Sequence, residues 1–281
     1  MFCDISIFAK PPYKVFRDGH MGRVSSIIRG GQIANYIGAK LNPTNGYEND
    51  VCIYVKPHVK RGDNFNFEGR PYLDIIDATD LYPLAKMRPE VPVIAISQWD
   101  YETMRSILPN KVVLIPQHHC NFERITRKRE GITTVGVIGT VEAFDYLPKG
   151  LEEYLSEKGI GLLKFSKIFT RESVVDFYQK IDVQIVWRPY FNYKKHVLMN
   201  PLKLVNAASF GIPTIAYQEG AFKEMEGYYI PVRDLDGFTG QLEALEGSPQ
   251  MYLDYSQKCL QKAEEYHIEN IGRLYKDLCR M

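Results

Sequence analysis

The chain has 281 residues, 45% of them hydrophobic and 25% charged, the balance of a globular protein with room for one large domain or two ordinary ones. Its 35 lysines and arginines nearly cancel 34 aspartates and glutamates, leaving a net charge of +1. That balance argues against a duplex nucleic-acid binder, which needs a marked basic excess to neutralise phosphates.

Apolar runs of strand length alternate with amphipathic segments of helix length, the pattern of parallel sheets covered by helices. The first strand is expected over Cys3 to Ala9, followed by a polar, glycine-bearing stretch from Lys10 to Gly22. Val24 to Leu41 reads as one helix, with Ile27, Ile28, Ile33, Ala34, Ile37 and Leu41 on a broad apolar face. Short strands are expected at Val51 to Val55, Leu73 to Ile76, Val91 to Ile96 and Val112 to Ile115. Between the last two, Gln98 to Leu108 reads as a helix capped by Ser97.

Residues 118 to 131 break the alternation with two histidines and a cluster of basic side chains, and read as a connector between two lobes, 1–117 and 132–281. His118 and His119 are adjacent, so on an extended segment they point to opposite sides, and metal binding is not expected of them.

The second half is more regular. Strands are expected at Thr133 to Ile138, Gly161 to Phe165, Val183 to Trp187, Ile212 to Ala216 and Tyr228 to Val232. Helices are expected at Glu142 to Lys158 with a break near Pro148, at Glu172 to Lys180, and at Leu202 to Phe210 closed by Gly211. In the last helix Ile268, Ile271, Leu274, Tyr275 and Leu278 line one face, and it is the element able to cross back to the first lobe. The fold expected is therefore α/β, with two Rossmann-like lobes whose parallel sheets face a cleft, the place where open sheets of this kind bind ligands.

The segment from Asp182 to Met225 carries the chemistry. It holds a buried strand, a polar loop, a helix opening at Asn200-Pro201, then Phe210-Gly211-Ile212-Pro213 and a second strand. Pro201 suits a first helical turn and Asn200 a cap, and the N–H groups there, with Lys203 in the same turn, suit a diphosphate. The bland alternative is a capped helix and a tight turn into a core strand.

This segment resembles the donor-binding stretch of GT-B glycosyltransferases, in particular the retaining group of the glycogen-synthase and sucrose-synthase type. The matching unit is Asn206-Ala207-Ala208-Ser209-Phe210-Gly211-Ile212-Pro213-Thr214-Ile215, followed by Gly220, Glu224, the strand Gly227 to Pro231 and Asp234. Upstream, Val135 to Thr140 and Lys149-Gly150 resemble the opening of that family's C-terminal domain. The resemblance covers about half the chain, and the first lobe is shorter than is usual for the family. One departure matters. Asn206 stands where the family has the second of two glutamates, and Leu198 near the first; asparagine can bond ribose hydroxyls but supplies no charge.

The resemblance implies a hexosyltransferase that moves a sugar from a nucleotide-diphosphate sugar to a sugar, lipid-linked or other small acceptor. It implies no metal and no other cofactor, and it implies retention of configuration, for which no protein nucleophile is needed. The donor would be held by Lys203, Arg188, Asn206, Asn200, Pro201, Thr140, Ser166 and Glu224, with Gly30 and Gly31 allowing close backbone approach to phosphate. If transfer is inverting instead, a base must take the acceptor proton, and His20 and Asp77 are the candidates. The other readings are a non-catalytic binder of a nucleotide-sugar or glycan, or a partner subunit of an active enzyme. A dinucleotide-dependent epimerase or dehydrogenase is disfavoured, since no GxGxxG follows a strand.

The five cysteines, Cys3, Cys52, Cys120, Cys259 and Cys279, are odd in number and form no CxxC, so no disulfide framework is expected, and a reducing, cytoplasmic compartment is. No signal peptide is read at the N-terminus, and no apolar run nears the ~20 residues of a membrane span. A peripheral membrane contact through a surface patch stays open, as does the oligomeric state.

Overall fold

The computed structural model describes residues 3–9, 24–59, 65–126, 129–166, 170–189 and 199–281. Two parallel sheets organise it. The first contains β1 (Ile5–Ala9), β2 (Lys40–Leu41), β3 (Val51–Val55), β4 (Arg70–Asp74), β5 (Val93–Ala95) and β6 (Val112–Leu114), in the order β2-β1-β3-β4-β5-β6. The second contains β7 (Thr134–Ile138), β8 (Gly161–Phe165), β9 (Val183–Val186), β10 (Thr214–Tyr217) and β11 (Ile230–Val232), in the order β11-β10-β9-β7-β8. The central strands are buried along their whole length, as Val51–Val55 and Val183–Val186 are, because helices cover both faces of a parallel sheet.

In the first lobe, a wide π-helical stretch, Ser26–Gln32, runs straight into α1 (Ile33–Ile37). α2 is Tyr82–Met87, and α3 is Gln98–Ile107 with the Ser97 side chain accepting from the Asp100 N–H. The second lobe carries α4 (Glu142–Asp145), α5 (Leu151–Glu157), α6 (Arg171–Lys180), α7 (Leu202–Ser209), α8 (Leu235–Gly247), α9 (Pro249–Ala263) and α10 (Ile268–Asp277). The break expected near Pro148 separates α4 from α5, with Gly150 at φ +86°. Among the described residues, no helix is long and apolar enough to cross a membrane.

Three expectations change. The helix expected to reach Leu41 stops at Ile37, because Gly38 turns left-handed at φ +74° and frees Lys40–Leu41 to pair with β1. The strand expected at Leu73 to Ile76 starts and ends earlier, at Arg70–Asp74, with Ile76 at φ +58° just beyond it. The expectation of no disulfide is overturned: Cys3, ahead of β1, and Cys279, after α10, form one, their Cα atoms 5.7 Å apart. Spacing in sequence carries no trace of this pair, because 276 residues separate its members and only the tertiary fold brings them together.

That meeting follows from α10. Ile268, Ile271, Tyr275 and Leu278 are buried in one cluster with Ile7, Ile33, Ile53 and Ile94 of the first lobe, so the end of the chain completes the core of its beginning. Leu274, expected on the same face, is 37% exposed and lies off it. Arg29 is fully buried at this junction. Its Nε donates to Asp74 on β4 at 2.5 Å, its Nη1 donates to the Ile115 carbonyl at 3.0 Å, and its guanidinium lies 5.5 Å from the Tyr275 ring centre. Arg29 is thus a structural tie between the first helix, the sheet and α10.

Candidate functional site

A cavity of about 450 Å³ opens between the lobes at the carboxyl ends of the second sheet's strands. Gln32, Asp77, His118 and His119 line one side, and Gly139, Thr140, Thr170, Arg171, Arg188, Lys203 and Asn206 the other. Parallel strands converge here because each ends where its following helix begins, leaving strand ends and helix starts facing the same gap.

Lys203 sits in the first turn of α7. Its backbone carbonyl accepts from Gln184 Nε2 at 3.1 Å and from the Tyr178 hydroxyl at 3.4 Å, so the strand and helix beneath fix the residue. Its ammonium has no hydrogen-bond or ion-pair partner among the described residues. Burial, and then the neighbouring Arg188 guanidinium, push it down to about 7. Gly139, closing β7, leaves the space for it: a Cβ there would stand 2.9 Å from Lys203 Nζ.

Arg188, just past β9, is held by a fork of two bonds to Glu219, Nε to Oε1 at 2.8 Å and Nη2 to Oε2 at 2.7 Å. Glu219 is only 3% exposed, so the pair is largely desolvated and the guanidinium is fixed in orientation. Asn206, one turn after Lys203, accepts the Cys120 N–H on Oδ1 at 2.9 Å and so ties α7 to the connector.

The start of that connector is packed, while Glu123, Arg124, Thr126 and Glu130 face solvent. His118 and His119 are each 2% exposed, and Asn121 donates to the Ile125 and Ser209 carbonyls. His118 Nε2 meets Gln32 Oε1 at 2.9 Å, and burial holds its ring well below the usual histidine range. Burial and the nearby His267 take His119 down to about 3, so both rings are neutral at neutral pH. Arg124, expected to be part of a basic patch, pairs with Glu264 and Glu269 of the C-terminal region.

The expected site residues separate into two groups. Lys203, Arg188, Asn206, Thr140 and Asp77 line the cavity together. Asp77 is also paired with Lys56 at 2.6 Å. Asn200 and Pro201 stand just behind α7; the Asn200 side chain accepts the Leu202 N–H at 3.0 Å, an intra-chain cap that takes one helix-start donor away from any ligand. Ser166 follows β8 and is not among the lining residues. Glu224 does not line the cavity either; it accepts the Gln98 N–H across the lobes at 2.6 Å. Gly30 and Gly31 fall inside a continuous helix, away from the cavity. Gly30 is glycine for packing: a Cβ would come within 2.3 Å of the Ala9 Cβ on β1. His20 lies outside the described residues.

Sequence reasoning missed Glu219, which fixes Arg188, and Thr170 with Arg171, which open α6 at the cavity edge. A signal for the second pair existed, since Thr170 is a cap-type residue just ahead of the expected α6 and its side chain accepts the Ser173 N–H.

No family model and no curated protein matches the sequence. Solved structures do match in shape. HepE from Anabaena, crystallised with UDP-glucose, superposes with a TM-score of 0.58 over 100% of both chains at 11% identity. WaaG, a glycosyltransferase involved in lipopolysaccharide biosynthesis, gives 0.53 over 98% of this chain and 99% of its own at 9% identity. The chain has the GT-B fold. A GtfA/B complex gives 0.56 at 11% identity over 83% of this chain, which spans only 57% of that longer one. As a GT-B protein the chain keeps two complete parallel sheets, of six and five strands, and its cavity occupies the gap between the two GT-B lobes.

Proposed function

We propose that this GT-B protein is a glycosyltransferase of the hexosyltransferase type, with a nucleotide-diphosphate sugar bound in the interlobe cavity and a small sugar or lipid-linked molecule as acceptor. The observation that carries the reading is Lys203, a lysine facing a cavity with no direct salt bridge among the described residues, beside an arginine whose orientation is fixed and which takes up both Glu219 oxygens. Two cations so placed suit a pyrophosphate, whose leaving oxygen gains charge as the sugar departs. They would take the place of a divalent metal. Retention follows from the sequence resemblance alone and asks for no protein nucleophile; an inverting transfer would need a base, for which Asp77 is the candidate that lines the cavity. HepE and WaaG, similar in fold along nearly their whole length, lend weight through what they are, one solved with UDP-glucose and the other a glycosyltransferase.

A second reading is favoured by Asn206. Its side-chain oxygen is already engaged by the Cys120 N–H, and no carboxylate stands there. A non-catalytic binder, or a partner subunit of an active enzyme, would keep the diphosphate cradle and do without that acid. Calorimetric binding and turnover measured with UDP-, GDP- and ADP-glucose decide. Saturable binding with sugar release or transfer supports the enzyme, saturable binding without turnover supports the binder, and no binding of any of the three removes both.

A further inference from the structure

Ser97-Gln98-Trp99-Asp100 has the spacing of a capping box, in which the serine caps the helix start and the acid reaches back to the serine N–H. Only the first half forms here: Ser97 Oγ accepts the Asp100 N–H at 3.0 Å. The acid turns the other way. Asp100 Oδ1 accepts the N–H of Met199, in the opposite lobe, at 2.7 Å. Ser97 Oγ in turn donates to the Met199 carbonyl at 2.7 Å. Both main-chain polar groups of one residue in the second lobe are thus held by the cap of a helix in the first.

The rest of the helix start is committed to the same side. The Gln98 N–H goes to Glu224, and the Trp99 ring packs over Gly220, where a Cβ would stand 2.7 Å from it. Ser97 and Asp100 are 0% exposed and Met199 is 6% exposed. An aspartate buried with one oxygen unpartnered among the described residues is costly, and a solvent-facing cap would avoid that cost. Something beyond helix capping keeps it there.

We propose that Ser97 and Asp100 are positioning residues for the nucleotide-sugar site, clasping Met199 so that α7 starts in the register that aims Lys203 and Asn206 into the cavity. The clasped residue lies three positions before Leu202, the first residue of α7, and Asn200 between them caps that helix. A shift of Met199 therefore moves the helix start, and with it the ammonium. The register of a site element in one lobe is in this way set by the other, so the site is complete only when the lobes are together. The inference rests on the proposed donor site, but its geometric part can be read without any ligand.

The test uses the full chain and whichever of UDP-, GDP- or ADP-glucose binds the wild type. Asp100→Ala is expected to weaken binding about tenfold, the upper end for a lost buried hydrogen bond that leaves its donor unpaired, and to raise amide exchange at Met199 through Lys203. Asp100→Asn keeps an acceptor for the Met199 N–H and is expected to bind within about threefold of wild type. Trp99→Leu loosens the same apolar cluster without removing either hydrogen bond to Met199, and is expected to lower Tm while leaving affinity unchanged. The proposal is overturned if Asp100→Ala binds like wild type, if Asp100→Asn does not rescue, or if Trp99→Leu weakens binding as much as Asp100→Ala does. Should Asp100→Ala not fold, Ser97→Ala, which removes the bond to the Met199 carbonyl together with the α3 cap but keeps the Asp100 side chain, must still raise exchange at Met199. A wild type that binds none of the three nucleotide-sugars ends the donor reading, and the exchange data then judge the clasp alone.

Discussion

Lys203 is a lysine held where charge is expensive, and the proposed diphosphate site depends on it. Burial, and then the Arg188 guanidinium, push its ammonium down to about 7, and an anion bound beside it would draw the proton back. Below about pH 7 the lysine is already charged, so the affinity for UDP-glucose is expected to be flat. Above it, binding has to take up a proton, and affinity is expected to fall by up to about tenfold per pH unit. Calorimetry at pH 8 in two buffers of different ionisation enthalpy reads this directly, as an uptake approaching one proton. Lys203→Ala is expected to abolish the uptake, to cost about 10- to 100-fold in affinity and to leave Tm within a degree or two. That Lys203, Arg188 and Thr140 would face one gap was legible in the sequence, because strand ends and helix starts of an open sheet point to the same side. Glu219 was not, since its pairing with Arg188 spans 31 positions and an ion pair leaves no local pattern.

Helix ends were easier to read than helix interiors. Gly211 closes α7 at φ +67°, and a Cβ there would also stand 2.5 Å from Ser256 Oγ on α9. Gly211→Ala is therefore expected to destabilise by about 1–3 kcal/mol, from left-handed strain and overpacking together, measured as a drop in the urea midpoint at constant m. The Gly30-Gly31 pair misled, because a glycine pair signals a turn in most sequences and here lies in mid-helix. What demands Gly30 is the approach of the π-helical stretch to Ala9, a contact between elements that no single-helix periodicity contains. Gly30→Ala is expected to lower Tm by overpacking and to leave nucleotide-sugar affinity unchanged; a selective loss of binding at constant Tm would return the pair to the phosphate reading. The connector shows the same limit. Its basic composition suggests solvent, yet Asn121 and the two histidines are buried, because α7 and the C-terminal region close over them.

At the scale of the whole molecule, the two-sheet architecture was readable from the alternation of runs, and the coupling between its halves was not. The Cys3–Cys279 bridge is the sharpest case. Mass spectrometry of the unreduced protein is expected to recover one crosslinked peptide joining the two ends. Cys52 and Cys259, both buried, are expected to react with a maleimide only after unfolding. An unreduced protein with five reactive thiols would remove the bridge.

The packing of Ile268, Ile271, Tyr275 and Leu278 into the first lobe also imposes an order on synthesis. A ribosome delivers the first sheet long before the helix that seals it, so that face waits, greasy and uncovered, while the entire second half is being made. The nascent chain is at its most vulnerable to clumping during this interval. Chaperone dependence in the cell should accordingly track how quickly translation reaches the last turn.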